Sequence, residues 1–271
     1  ELTIGPIASS DVAFDDAGNL VGSDNEKIYK TPYDGEPVVF VDDVDFRAAM
    51  RYLPDGHLVY ADEELGRLMR VDLEGQQHEV LTDLDDPNGI TVDPLGFVYI
   101  SEEGGGRVLR VDPHSNEFTV LIDDLPKAND LTFNVDYDLL YVGTFSNLDN
   151  TIYTMEIDVE TGDHGELTPW VTDLGSGFHD GLKVDICDNV YVCDYECGGE
   201  WDKTCIFRLS PDGVVEEEML IVPSLALYFP NFDWGSGIGG WDPETIYAPN
   251  GWAHQVWQVH VGVESKPRVY P

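Results

Sequence analysis

The sequence predicts an all-β chain, folded over residues 1–271 as a single six-bladed β-propeller with four antiparallel strands per blade and the ring closed by an N-terminal strand. Three observations predict it. A strand–turn–strand unit recurs six times, at intervals of 38 to 51 residues. Around the unit, four short β-forming runs fit within about forty residues, the length of one blade. The last unit is one strand short, while the chain's first residues offer a spare one.

The unit is clearest from Asp86 to Ser101. Gly89-Ile90-Thr91-Val92 is a short run of β-formers, Asp93-Pro94-Leu95-Gly96 has Pro and Gly where a tight turn wants them, and Phe97 to Ile100 is a second apolar run. Arg107 to Asp112 and Phe118 to Leu121 supply two more strands after loops built on Gly104-Gly105-Gly106 and Pro113-His114-Ser115-Asn116. Taking the residue five before the turn as a marker, the copies start at Ser10, Ala48, Asn88, Asn129, Asp180 and Asn231, the sixth copy being looser. The run Glu1-Leu2-Thr3-Ile4-Gly5-Pro6-Ile7 is the strand expected to complete the last blade beside Gln255 to Val261.

Composition narrows the function. Lys and Arg number 14 against 53 Asp and Glu, a net charge of −39. That field repels nucleic acid and anionic membrane surfaces and gathers cations; its ordinary use is a solubilising coat. No stretch reaches the roughly 20 apolar residues of a membrane helix. The expected partner is a small molecule, with no nucleic acid and no membrane insertion, and the chain is expected to be a monomer. It begins with neither Met nor a leader, as expected of a chain whose leader has been removed or trimmed. The four cysteines, Cys187, Cys193, Cys197 and Cys205, lack the Cys-x-x-Cys spacing of zinc knuckles. At least one disulfide is expected, joining Cys205 to Cys193 or Cys197, and with it a secreted or periplasmic location. Cys187 lies about 20 Å down an extended strand from Cys193, out of bonding range.

In a propeller the first strand of each blade lines the central channel, so the markers fall on one ring. Asn88, Asn129, Asp180 and Asn231 then aim amide and carboxylate oxygens at one point. Each taken singly reads as a turn residue; in step, they need a common partner, because a buried unpaired oxygen costs about 1–3 kcal/mol. Neutral carbonyl oxygens with one or two carboxylates suit the six-to-eight-oxygen shell of Ca²⁺ or another divalent cation, and neither Cys nor His stands at the register.

At these residues the sequence resembles the family of the senescence marker protein, gluconolactonase and luciferin-regenerating enzyme, and more distantly the diisopropylfluorophosphatases and paraoxonases. The resemblance rests on Asn88-Gly89-Ile90, Asn129-Asp130-Leu131 and Asp180-Gly181-Leu182, in the third, fourth and fifth blades. It implies a six-bladed propeller with a divalent ion in the channel, hydrolysing lactones or organophosphates. It further implies that Asn129 and Asp180 bind the metal, that Asn88 binds it or lies on its substrate side, and that Asp180 doubles as general base or nucleophile. In the first blade the family carries a metal-binding glutamate where this chain has Ser10. Asp11 is the adjacent carboxylate, although one step along a strand turns a side chain to the other face unless the strand bulges.

His179, next to Asp180, is weighed as a proton shuttle against a loop histidine bonded to backbone. His254 and His260 read as packing, as do Phe229, Tyr228, Trp234 and Trp241. Two functions follow. One is a Ca²⁺-dependent hydrolase of small lactones, esters or phosphotriesters, favoured by the Asn88, Asn129, Asp180 order. The other is a non-catalytic binding propeller similar to NHL-repeat proteins with a structural metal, towards which Ser10 and the acidity lean.

Overall fold

Turn chemistry repeats the blade before packing does. Asp93 caps its turn by accepting from the amides of Leu95 and Phe97 through Oδ1, at 2.9 and 3.0 Å, and from the Tyr99 hydroxyl through Oδ2. Asp15 and Asp185 do the same for the first and fifth blades. Each is an Asx turn, in which a short acid replaces the backbone's missing partners. Gly96 follows with φ +91°, a conformation in which a Cβ is strained.

The computed structural model describes residues 2–3, 8, 10–44, 49–194, 196–197, 204–221, 229–251 and 255–270. After β1 (Leu2–Thr3), the first blade is β2 (Val12–Phe14), β3 (Asn19–Ser23), β4 (Lys27–Pro32) and β5 (Val38–Asp42). The second is β6 (Met50–Tyr52), β7 (Leu58–Asp62), β8 (Arg67–Val71) and β9 (Gln77–Leu81), and the third β10 (Pro87–Val92), β11 (Val98–Glu102), β12 (Arg107–Val111) and β13 (Phe118–Ile122). The fourth is β14 (Ala128–Phe133), β15 (Leu139–Thr144), β16 (Ile152–Glu156) and β17 (Thr168–Val171). The fifth is β18 (His179–Val184), β19 (Val190–Asp194), β20 (Thr204–Leu209) and β21 (Val215–Ile221). The sixth holds β22 (Asp233–Trp234), β23 (Thr245–Asn250) and β24 (Gln255–His260), and β1 completes it, Leu2 opposite Trp257 and Thr3 opposite Val256. The chain is thus an all-β, six-bladed propeller closed by its N-terminal strand, with no α-helix among the described residues.

The apolar core lies in the six seams between blades. Ala49, Val59 and Leu68 of the second blade meet Ile90, Val98 and Leu109 of the third, and the remaining seams repeat the arrangement. The closing seam packs Phe14 edge-on against Trp241 and Tyr247, at 5.3 and 5.6 Å between ring centroids. Trp234, Trp241 and Phe229 are buried packing residues, as expected. His260 is exposed rather than packed, its Nδ1 3.2 Å from Thr245 Oγ1, because it ends the outward run of β24. Tyr228, His254 and Ala48 lie outside the described residues.

Blade register corrects the sixth marker. The amide that closes each first turn lies five residues after the marker, as with Asp93 N–H to Phe97 O and Asn134 N–H to Leu139 O. In the sixth blade the equivalent bond is Gly235 N–H to Thr245 O, which makes Pro230 the marker and moves Asn231 one step on. The ten-residue excursion between those partners replaces the four- or five-residue turns of the other blades and conceals the register in the sequence.

Candidate metal and substrate site in the channel

Three consecutive inner strands start with the same irregularity. In the third blade Pro87 pairs with Glu102 and Ile90 with Ile100, so Asn88 and Gly89 face one partner residue. The same two-against-one bulge holds Asn129-Asp130 between Ala128 and Leu131, and Asp180-Gly181 between His179 and Leu182. A bulge re-aims side chains that a regular ladder would alternate. Here it sends the marker into the channel and the next residue against the neighbouring blade.

The glycines belong to this device rather than to turns. A Cβ on Gly89 would lie 2.5 Å from the Asp130 Cα, and one on Gly181 2.7 Å from Asn231 Oδ1. Only a residue without a side chain lets adjacent inner strands approach so closely.

At the channel mouth Ser10, Asn88, Asn129 and Asp180 line a cavity of about 200 Å³ together with Pro230, Asn231, Ala49 and Phe145. Asn129 is 2% exposed and its Oδ1 has no hydrogen-bond partner among the described residues. Asp180 is likewise buried, at 8% exposure. Two carboxylates not singled out from the sequence complete the rim, Glu63 and Glu103. They occupy equivalent places. Asp62 and Glu102, just before them, pair with Arg67 and Arg107, which leaves the following glutamate at the mouth. The signal was present as an acid pair at the end of the second strand in both blades, Asp62-Glu63 and Glu102-Glu103, each followed by the arginine at 67 or 107. Glu103 accepts from Lys127 Nζ at 2.8 Å and from Asn88 Nδ2 at 3.4 Å, which orients the Asn88 amide.

The other candidate residues go elsewhere. Asp11 does not line this cavity: its Oδ1 accepts from Val12 N–H, and its Oδ2 accepts from Met50 N–H and pairs with Arg51 of the next blade. Asp130 repeats the arrangement, with Leu131 N–H on Oδ1 and Leu182 N–H and Lys183 Nζ on Oδ2. Both acids stand one step past a marker and are turned to the neighbouring blade, the alternation of strand faces deciding the matter. Burial raises the Asp11 carboxyl above its ordinary range, and Arg51 opposes that shift. Asn231 touches the cavity, but its Oδ1 accepts from Lys183 Nζ at 2.7 Å and from Phe232 N–H at 2.9 Å, while its Nδ2 donates to Asp130. His179 is buried between the fourth and fifth blades; its Nε2 meets the Leu174 carbonyl at 2.9 Å, and burial lowers its pKa.

In the fifth blade Cys197 and Cys205 are paired, with Cα atoms 5.3 Å apart, while Cys187 is exposed and free and Cys193 buried and free. No helix of the described residues is long and apolar enough to cross a membrane.

The oxygens of Asn88, Asn129 and Asp180, an orphaned carbonyl among them, form a donor set that fits a hard divalent cation. No curated protein sequence matches the chain. Among solved structures, luciferin-regenerating enzyme superposes with a TM-score of 0.75 at 14% identity, covering 98% of this chain and 96% of that one. A gluconolactonase from Xanthomonas campestris gives 0.74 at 18%, covering 96% and 87%, and a calcium-binding protein, regucalcin, from Agrobacterium tumefaciens gives 0.74 at 16%, covering 97% and 92%. At these identities the likeness establishes the fold. The family model described as SMP-30/Gluconolactonase/LRE-like region matches residues 96–224, a span within the six-bladed propeller that holds Asn129 and Asp180.

Proposed function

We propose that the protein is a lactonase-type hydrolase of small lactones, esters or phosphotriesters that uses Ca²⁺ or another divalent cation in the channel cavity. The observation that carries this reading is the triple bulge, which turns Asn88, Asn129 and Asp180 to one cavity and leaves Asn129 Oδ1 buried and unpaired among the described residues. Asn88, Asn129 and Asp180 would hold the ion. Glu63 and Glu103 supply rim carboxylates that Ser10 does not. When bound, the ion polarises the carbonyl or phosphoryl oxygen of the substrate.

The chain's own groups do the rest. Asp180, on the inner strand of the fifth blade, takes the proton of the attacking water as general base. Asn88, braced through Glu103, orients the substrate's polar edge, and Phe145 and Pro230 give the cavity an apolar wall that limits water. His179 braces the strand through the Leu174 carbonyl rather than shuttling protons, since it does not line the cavity. The Cys197–Cys205 pair supports an oxidising, secreted or periplasmic setting.

The test is metal analysis of purified and chelated protein with hydrolysis of lactone, aryl-ester and phosphotriester panels across a calcium titration. Asp180→Asn should lower turnover by about 10²- to 10⁴-fold at saturating ion. Asn129→Ala should be partly rescued by excess ion. Full turnover by Asp180→Asn would move proton transfer off Asp180. Ion binding without hydrolysis of any panel member would make the protein a binding propeller.

A further inference from the structure

The channel's other end is closed by the chain's last described residues. Ser265 bridges Asp185, Lys266 N–H donates to Val184 O at 3.0 Å, and Arg268 pairs with Asp233 at 3.1 Å and donates to Trp234 O at 2.5 Å. Beneath this strap lies a cavity of about 90 Å³, separate from the site at the mouth. Arg51, Lys183, Lys266 and Arg268 all line it. A chain with only 14 Lys and Arg against 53 Asp and Glu has thus gathered four cations around one small cavity.

The carboxylates there do not balance them. Asp11 pairs with Arg51, Asp130 with Lys183 and Asp233 with Arg268. Lys266 has no carboxylate at ion-pair distance among the described residues and feels Asp188 only from farther off. Its Nζ donates to the Phe133 carbonyl at 2.6 Å and lies 4.5 Å from the Tyr137 ring centroid. Arg51 retains an open donor, since its Nη2 is buried with no hydrogen-bond partner among the described residues. A buried donor left unpaired and a half-buried charge with no acid at ion-pair distance both cost free energy, and one ligand removes both costs.

We propose that this cavity binds a compact monoanion, of carboxylate or halide size, held between Arg51 Nη2 and the Lys266 amine. One negative charge matches the one cation without an acid at ion-pair distance, and the volume suits an ion of formate or chloride size with accompanying water. The occupant ties the strap, through Lys266, to the second blade, through Arg51, and so stabilises the closed end of the ring.

The experiment is thermal unfolding of the full chain at fixed pH and fixed ionic strength, exchanging a bulky monoanion, 2-(N-morpholino)ethanesulfonate, for sodium formate or sodium chloride. Fixed ionic strength removes the screening that a net charge of −39 would otherwise add. A saturable rise in Tm of several degrees with formate or chloride is expected, by mass action on the native state. Lys266→Met, which lies outside the mouth cavity, should reduce the rise to under about a degree, because it removes the unmatched charge. Equal Tm in all three salts, or an undiminished rise in Lys266→Met, would overturn the proposal. If that variant does not fold, the parent titration decides, a saturable formate or chloride effect supporting the site and a linear or absent one sinking it.

Discussion

Lys183 connects the two ends of the channel. Its Nζ lies 3.0 Å from Asp130 Oδ2, 2.7 Å from Asn231 Oδ1 and 3.0 Å from Leu182 O, with all three groups buried. Lys183→Met would leave Asp130 as an uncompensated buried charge, a loss of about 3–5 kcal/mol that denaturant unfolding would measure. Lys266 gives a pH signature of opposite origin. Burial first, then the nearby Lys183, pushes its amine down to about 7 from 10.5. Between those values the unfolded chain binds the extra proton, so stability rises with pH across that window and is lost as pH falls towards 7. In buffer without small anions, the gain in Tm from pH 7 to 10 should be larger for the parent than for Lys266→Met, a comparison in which the other titrating groups cancel.

Gly181 shows how little room the inner ring has: Gly181→Ala would drive a methyl to 2.7 Å from Asn231 Oδ1 and 2.9 Å from its Cα. Pushing the fifth and sixth blades apart should cost about 1–3 kcal/mol by thermal or denaturant unfolding and weaken metal retention as Asp180 shifts. The hairpin from β19 to β20 is tied by Cys197 and Cys205, eight residues apart. Replacing both by Ser should lower stability by about 2–3 kcal/mol on loop-entropy grounds. Thiol titration of the unreduced parent should find two reactive groups, Cys187 in the native state and Cys193 only after unfolding, since burial holds the Cys193 thiol well above its usual pKa.

For the molecule as a ring, closure is the point of failure. β1 supplies the outer strand of the sixth blade, and removing residues 1–9 would unpair the outer edge of β24 at Val256 and Trp257. Lower Tm and aggregation of that truncation, followed by light scattering, are the expected outcomes, because an unpaired edge is a template for further pairing. Raising NaCl from about 0.01 to 0.15 M shortens the Debye length from roughly 30 to 8 Å. With a net charge of −39, the parent's Tm should climb over that range as self-repulsion is screened.

The repeat, the number of blades, the N-terminal closure and the polar ring of Asn88, Asn129 and Asp180 were legible in the sequence alone. Each is periodic, and period survives without coordinates. The direction of each side chain was not. Whether Asp11 faces the channel cavity or the next blade depends on whether its strand alternates regularly or bulges. That is a property of two paired strands, and Asp11 has its partners in Met50 and Arg51, some forty residues on. Asn231 was read one step out of register because the lengthened turn of the sixth blade hid the pairing of Gly235 with Thr245. Glu63 and Glu103 came to the mouth only because Arg67 and Arg107 occupy the acids before them. The four cations beneath the strap come from three distant stretches of the chain, at residues 51, 183 and 266–268, and follow no period. Only the closing of the ring brings them together, and no local rule of sequence encodes a balance of charge inside a closed channel.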